Sequence, residues 1–190
     1  PKPPYVAIRD WFQSGYKVDY DARYFLNREV ETGLVLATRE VVFAQINAGI
    51  DVPTDGEQRR ENYIYYHCRH LTGIDFEKLT PKVMRSGAWE DSVPTINQRI
   101  GPKARFLRYD WKIAQSYAAL APSGAKPVKI TIPGPMTIAD TLANDYYEDE
   151  RCLIEDLATA INVEIRDLAD AGCRWIQVDE PAFAREPKKA

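Results

Sequence analysis

The chain has 190 residues, of which 45% are hydrophobic and 28% are charged, and its formal net charge is −3. This composition is typical of a globular protein and excludes an intrinsically disordered chain. The weak negative charge argues against a nucleic-acid partner, and no apolar run approaches the roughly 20 residues that span a bilayer. With three cysteines and no export signal, we expect reduced thiols and a cytoplasmic protein.

The hydrophobic pattern predicts alternating helices and strands. Apolar residues recur at three- and four-residue steps in the predicted helices, which are residues 27–48 (with Asn27 as N-cap), 61–71, 107–121 and 149–171. Short β-branched runs predict the strands, which are residues 50–53, 93–100, 126–132 and 175–178. Residues 80–91 are predicted to be a loop, and residues 9–25 a loop with a short helix.

Alternation of strands and helices is typical of a parallel sheet with right-handed crossovers. Four strands are about half of an eight-stranded (β/α)8 barrel, which usually takes ~250 residues. A doubly wound open sheet is the other architecture that fits the pattern.

Polar turns follow three of the predicted strands: Asp55-Gly56-Glu57, Pro133-Gly134-Pro135 and Asp179-Glu180-Pro181. In a parallel sheet these turns lie on one rim, where ligands bind. Carboxylates that meet there would bind an ammonium group, hold a metal or move protons. An acid after a strand is, by itself, more often a solvated loop residue.

The segment His67-Cys68-Arg69-His70 is a weak candidate for a metal site. Adjacent His67 and Cys68 point to different faces of a helix, and no second ligand pair follows at metal-site spacing. We therefore assign no metal ligand here. Cys152 and Cys173 flank the long predicted helix, and we expect both to be core thiols.

Three stretches resemble the catalytic domain of cobalamin-independent methionine synthase in residues, order and spacing. They are residues 49–57, 131–137 and 171–182. The resemblance implies a (β/α)8 TIM barrel, of which residues 1–190 would be one partial domain, the N-terminal half with about strands 2–5. It also implies methyl or alkyl transfer to a thiol such as homocysteine, with zinc activating the thiol in the complete protein and methyl-tetrahydrofolate as a donor.

The resemblance also implies roles for individual residues. Glu57 and Asp179 match the acids that hold the ammonium group of the amino-acid substrate, and Glu180 is predicted to bind the same substrate. Thr141 stands where the family has a tryptophan that stacks on folate, and Arg185 where it has a pterin-holding glutamate. Both differences depart from the folate-binding pattern.

The family's zinc ligands match no residue of this chain, so we expect the chain alone to be inactive. Its predicted partners are a small thiol amino acid and either the other half of the barrel or a second copy of the chain.

Two other functions remain open. The same superfamily contains the uroporphyrinogen decarboxylases, which need no metal and use a rim aspartate near a cationic cluster. A half-barrel would also expose sheet edges, so the chain is alternatively a non-catalytic binding module that completes its barrel with another chain.

Overall fold

The computed structural model describes residues 2–6, 28–84, 87 and 89–185. The predicted loop and short helix at residues 9–25 and the predicted N-cap Asn27 lie outside them. The chain divides into two compact units. The first contains Pro1–Tyr66, Phe106–Thr131 and Asp167–Gln177, and the second contains His67–Arg105, Ile132–Arg166 and Val178–Ala190.

Two helices build much of the core of the first unit. Helix α1, Arg28–Asn47, buries one face at three- and four-residue spacing, formed by Leu34, Ala37, Thr38, Val42 and Ile46. The helix predicted at 107–121 is also confirmed, although it ends earlier, as α3, Leu107–Ala119. Phe43 of α1 and Tyr117 of α3 meet edge to face, with ring centroids 6.3 Å apart.

An antiparallel hairpin dominates the second unit and corrects two predictions. Strand β1 is Leu71–Met84 and strand β2 is Trp89–Pro102. The predicted helix at 61–71 is therefore only the single turn α2, Tyr65–Cys68, and most of the predicted loop at 80–91 is strand. Cross-strand pairing decides this structure, as in the pair Thr80 and Val93, and such long-range pairing overrides local propensity.

Gly73, near the start of β1, has a backbone conformation that other residues rarely adopt. Its φ is +85°, and a Cβ there would lie 2.6 Å from the carbonyl oxygen of Arg99. It lies at a register irregularity of the hairpin, where only glycine allows the two backbones to approach so closely. A short strand, β4 (Ala143–Asn144), extends this sheet by pairing in parallel with β2.

Strands β3, Lys129–Pro133, and β5, Trp175–Asp179, form a two-stranded sheet. Both predicted strands are thus confirmed with small shifts of their ends. The strand predicted at residues 50–53 is not formed, and only Thr54 makes an isolated parallel bridge, to Lys129. The antiparallel hairpin also means that the strands do not alternate strictly with helices.

Helices follow β3 and β5 directly. They are α4, Pro135–Thr141, and α6, Pro181–Arg185, each beginning at a proline, which favours the first helical position. Between them runs α5, Glu150–Asp170, the long helix that the sequence predicts.

The cysteines divide into two environments. Cys68 and Cys173 are buried, whereas Cys152 is exposed, so the prediction that Cys152 is a core thiol is wrong. Cys152 lies in the first turn of α5 on its solvent face, away from the buried stripe of Leu153 and Leu157. Within the described residues, none of the helices has the length and apolar character needed to cross a membrane.

Candidate functional site

The turn that carries Glu57 is anchored by helix α1. The side-chain amide of Gln45 donates to the carbonyl of Thr54 at 2.9 Å, and its oxygen accepts from the Thr54 N–H at 2.9 Å. The backbone N–H of Lys129 in β3 donates to the carbonyl of Pro53 at 2.9 Å. The start of the turn is therefore fixed from both sides within the first unit.

The turn itself uses an uncommon backbone conformation. Gly56 has φ +64° and Glu57 has φ +54°. Glu57 is the only non-glycine residue with positive φ among those the structure describes. The Asp55 carboxylate accepts from the Glu57 N–H at 3.2 Å, which supports the turn locally. Strained backbone of this kind persists only where surrounding contacts hold it, and it is concentrated at functional sites.

We expect Gly56→Ala to destabilise the protein by more than Gly49→Ala. Both glycines have positive φ, which costs an alanine about 1–3 kcal/mol. A Cβ at Gly56 would also lie 2.8 Å from both γ-methyls of Val41, whereas no atom of the described residues lies within 4 Å of one at Gly49. Urea denaturation of the two variants measures the difference. Equal losses would show that Val41 moves aside without cost.

The Glu57 carboxylate is held through one of its two oxygens. Its Oε1 accepts from Arg60 Nη1 at 2.9 Å and from the Thr131 hydroxyl at 2.9 Å. Arg60 Nη1 also donates to that hydroxyl at 3.0 Å, which closes a ring of three polar groups. Among the described residues, no hydrogen bond reaches Glu57 Oε2, and 39% of the side chain is exposed. A carboxylate held in this way could bind a ligand through its second oxygen.

A buried charge cluster lies behind this ring in the first unit. Arg59 binds Glu31 through two hydrogen bonds of 3.1 and 2.6 Å, and its Nε lies 2.9 Å from the buried Asp110 carboxylate. The Tyr66 hydroxyl donates to Asp110 at 2.9 Å. Buried charges are stable only when they are paired and hydrogen-bonded in this way.

Burial sets the protonation of this cluster. It raises the pKa of Asp110 to about 7, against the attraction of the Arg59 guanidinium. Burial also works against the charge of Arg59, but its hydrogen bonds to Glu31 and the nearby Asp110 raise its pKa above the ordinary value. Arg59 is therefore a permanent cation, while Asp110 titrates near neutral pH.

Sequence reasoning missed this cluster. The pattern begins the predicted helix only at Glu61 and assigns no role to Arg59 or Arg60, yet all three residues are buried. Three consecutive charged residues, separated from the Asp55-Gly56-Glu57 turn only by Gln58, were the available signal. The sequence around Asp110 contains no signal of a buried charge. An acid in the first turn of a helix is usually solvated and interacts favourably with the helix dipole.

The second predicted acidic turn follows β5. The Asp179 carbonyl accepts from the Gly134 N–H at 2.8 Å, so the ends of β5 and β3 are joined. The Glu180 carboxylate accepts from the N–H groups of Met136 and Thr137 at 3.1 and 2.6 Å, and also from the Thr137 hydroxyl. Glu180 thus caps the first turn of α4, which is a use for its charge that the sequence did not predict.

The contact between Glu180 and the start of α4 requires a glycine at position 134. A Cβ at position 134 would collide with the Glu180 carboxylate, so the glycine lets the two turns approach. Glu57 belongs to the first compact unit, whereas Asp179 and Glu180 belong to the second. That the three carboxylates bind one substrate stays a prediction.

The two positions that depart from the folate-binding pattern have local partners. The Thr141 hydroxyl donates to the Thr137 carbonyl at 2.7 Å within α4. Arg185 in α6 forms an ion pair of 3.2 Å with Asp140. Neither side chain supplies an aromatic surface or a free carboxylate for a pterin.

The His67–His70 segment gives no support for a metal site. Burial and the neighbouring cations Lys103 and Arg69 lower the pKa of His70 to about 4, and the same two cations would repel a metal ion at this position. No group of three or more His, Cys, Asp or Glu residues within the described part of the chain could hold a metal ion.

Comparison with known proteins identifies the family. Residues 15–188 match the model of the cobalamin-independent synthase catalytic domain. A methionine synthase of Saccharolobus islandicus (strain L.S.2.15) is 39% identical over 137 residues, which are 72% of this chain and 39% of that protein. One of Saccharolobus solfataricus is 33% identical over 173 residues, which are 91% of this chain and 49% of that protein.

A solved structure agrees. The B12-independent methionine synthase from Shewanella sp. W3-18-1, in complex with selenomethionine, superposes with a TM-score of 0.78 at 31% identity. The match covers 96% of this chain and 50% of that one, so the chain spans about half the length of the relatives it matches. The chain belongs to the family of cobalamin-independent synthase catalytic domains.

Proposed function

We propose that the protein carrying this chain transfers a methyl group to the thiol of an amino acid such as homocysteine. The observation that carries the proposal is the Glu57 carboxylate, held at Oε1 by Arg60 and Thr131 in a chain of this family. The selenomethionine bound to the Shewanella relative supports an amino-acid ligand of this size. The matches to methionine synthases favour this reaction over a decarboxylase or a non-catalytic module.

Glu57 and Asp179 would hold the ammonium group of the amino acid in this reaction. A carboxylate forms charge-assisted hydrogen bonds to an ammonium group, and these are stronger than neutral ones. Glu180 was predicted to bind the same substrate; its contacts with the start of α4 support an additional role in holding the Asp179 turn in place. These residues would orient the substrate so that its sulfur reaches the methyl donor.

Zinc does not fit the described residues, because they contain no group of ligands for it. We therefore propose that thiol activation depends on parts of the full-length protein that correspond to the half of the relatives not matched by this chain. The chain alone would then be inactive.

The residues at the two positions that contact folate in the family are also unsuited to bind it. Thr141 and Arg185 are engaged with Thr137 and Asp140 and do not fit a pterin. We assign no folate step to this chain and propose only that the donor carries a transferable methyl or alkyl group.

We propose that the complete domain is a (β/α)8 barrel to which this chain contributes about strands 2–5. The match to half of the Shewanella structure supports this architecture. Either the rest of the same protein or a second copy would complete it.

The proposal is tested by ligand binding to the full-length protein. We expect L-selenomethionine to bind more tightly than 4-(methylseleno)butanoate, which lacks only the amino group. Glu57→Gln should weaken L-selenomethionine binding by about 1.5–3 kcal/mol, the usual worth of a hydrogen bond to a charged group, and should leave the analogue unaffected. Calorimetric titration measures both. Equal binding of the two ligands by the wild-type protein would refute an ammonium site, and absence of methionine formation from homocysteine and a methyl donor would refute the reaction.

A further inference from the structure

We infer that Arg60 and Thr131 are positioning residues that aim the second oxygen of Glu57 at the ammonium group of the amino-acid substrate. This inference rests on the proposed function and deepens it. It concerns side chains that neither the family match nor the sequence motifs assign to the site.

The first step is the rigidity of the ring. Arg60 has a side chain that is 1% exposed, and its Nη2 lies 3.6 Å from the equally buried Asp55 carboxylate. Its guanidinium is therefore fixed by Asp55 on one side while it holds Glu57 and Thr131 on the other. A planar guanidinium fixed in this way imposes a direction on the groups it binds.

The second step is the strain at Glu57. Its φ of +54° costs free energy, which the surroundings must offset. A glutamate on an ordinary turn could form an ion pair with Arg60 without a positive φ, so the ion pair alone does not require this backbone conformation. The positive φ and the two hydrogen bonds to Oε1 together define one orientation of the carboxylate.

The third step is the direction of the two hydrogen bonds made by the Thr131 hydroxyl. The hydroxyl accepts from Arg60 Nη1 at 3.0 Å and donates to Glu57 Oε1 at 2.9 Å. Its single proton is thus committed to Glu57. Thr131 lies in β3, so the strand transmits its fixed position to the carboxylate.

The fourth step is the electrostatic effect of Arg60. Its guanidinium lies 2.9 Å from the Glu57 carboxylate and 3.6 Å from the Asp55 carboxylate. A guanidinium beside the carboxylate weakens the attraction for a cation, so electrostatics alone does not explain why Arg60 is there, whereas positioning does.

The two explanations predict opposite results for Arg60→Met in the full-length protein. If Arg60 acted only through its charge, its removal would tighten L-selenomethionine binding. If it positions Glu57, binding weakens more than tenfold, and the preference over 4-(methylseleno)butanoate is lost. Tighter binding would overturn the inference.

A second pair of variants avoids the removal of a buried charge. Thr131→Val keeps the side-chain shape and removes the hydroxyl, and we expect it to weaken L-selenomethionine binding roughly tenfold or more, as for one hydrogen bond to a charged group. Thr131→Ser, which keeps the hydroxyl, should restore most of the affinity. Binding of the deaminated analogue should not change in either variant, which a general structural defect would not reproduce.

The outcomes separate the two proposals. If the wild-type protein prefers L-selenomethionine and Glu57→Gln removes the preference while Thr131→Val and Arg60→Met keep it, the positioning roles are wrong and the ammonium site stands. If the wild-type protein shows no preference, the proposed ammonium site fails, and the positioning roles fail with it.

Discussion

Asp179→Asn is expected to weaken binding of an amino-acid substrate to the full-length protein by about 2–5 kcal/mol, the range for truncating a buried charge pair. The amide keeps the shape of the side chain but loses the charge that would attract an ammonium group. The hydrogen bond from the Gly134 N–H goes to the Asp179 backbone carbonyl, which the substitution does not change. Calorimetric titration with L-selenomethionine measures the change.

Asp51→Asn is the matched control for this prediction. Asp51 is also an acid, but its side chain is 84% exposed and it pairs with Lys126 at the surface. We expect its replacement to leave binding unchanged. If Asp179→Asn binds as tightly as the wild-type protein, Asp179 does not hold the substrate.

Arg59→Met is expected to destabilise the folded chain by about 3–5 kcal/mol at pH 8, because it leaves a buried partner without its cation. Arg59 lies between Glu31 and Asp110, and both it and Asp110 are buried. Methionine fills much of the same volume but cannot balance the Asp110 charge. Chemical denaturation followed by tryptophan fluorescence measures the loss.

The loss should be smaller at pH 5, and the sign follows from Asp110. Its folded-state pKa of about 7 lies above the unfolded value, so its protonation adds stability below the unfolded pKa, and that stability is lost as pH rises through 7. In the Arg59→Met variant the pKa of Asp110 rises further, because the cation that lowers it is gone. At pH 5 Asp110 is protonated and needs no cation, whereas at pH 8 the variant must bury a charge or retain a proton.

Lys126→Met is the control for the Arg59 variant. Lys126 pairs at 2.7 Å with the exposed Asp51, and such surface pairs contribute about 0–1 kcal/mol. We expect a small loss that is the same at pH 5 and pH 8. If Arg59→Met also loses the same amount at both values, Asp110 is not the titrating group.

Some of this architecture was available from local sequence. The helices α1, α3 and α5 each have apolar residues at helical spacing over more than three turns, and that signal does not depend on distant partners. The strands β3 and β5 are short β-branched runs closed by prolines. The three motifs at residues 49–57, 131–137 and 171–182, read together, predicted the family, which the comparisons confirm.

The hairpin of β1 and β2 could not be predicted in the same way. Its first strand contains Gly73 and Pro81 and has no clean apolar alternation, so its local pattern indicates a loop. The strand forms because residues up to 31 positions away pair with it, as Leu71 pairs with Pro102. Pairing of this kind depends on tertiary context more than on intrinsic preference.

The sequence by itself determined the main helices, two core strands, the family and the presence of Glu57, Asp179 and Glu180, because these are encoded by spacing and by short motifs. Only the tertiary structure decided what surrounds them. Arg60 and Thr131 meet across 71 positions of the chain, and Asp110 acquires its raised pKa from burial beside residues that are distant in sequence. Contacts and burial of this kind arise only when the chain folds, since no local pattern encodes which distant side chains become neighbours.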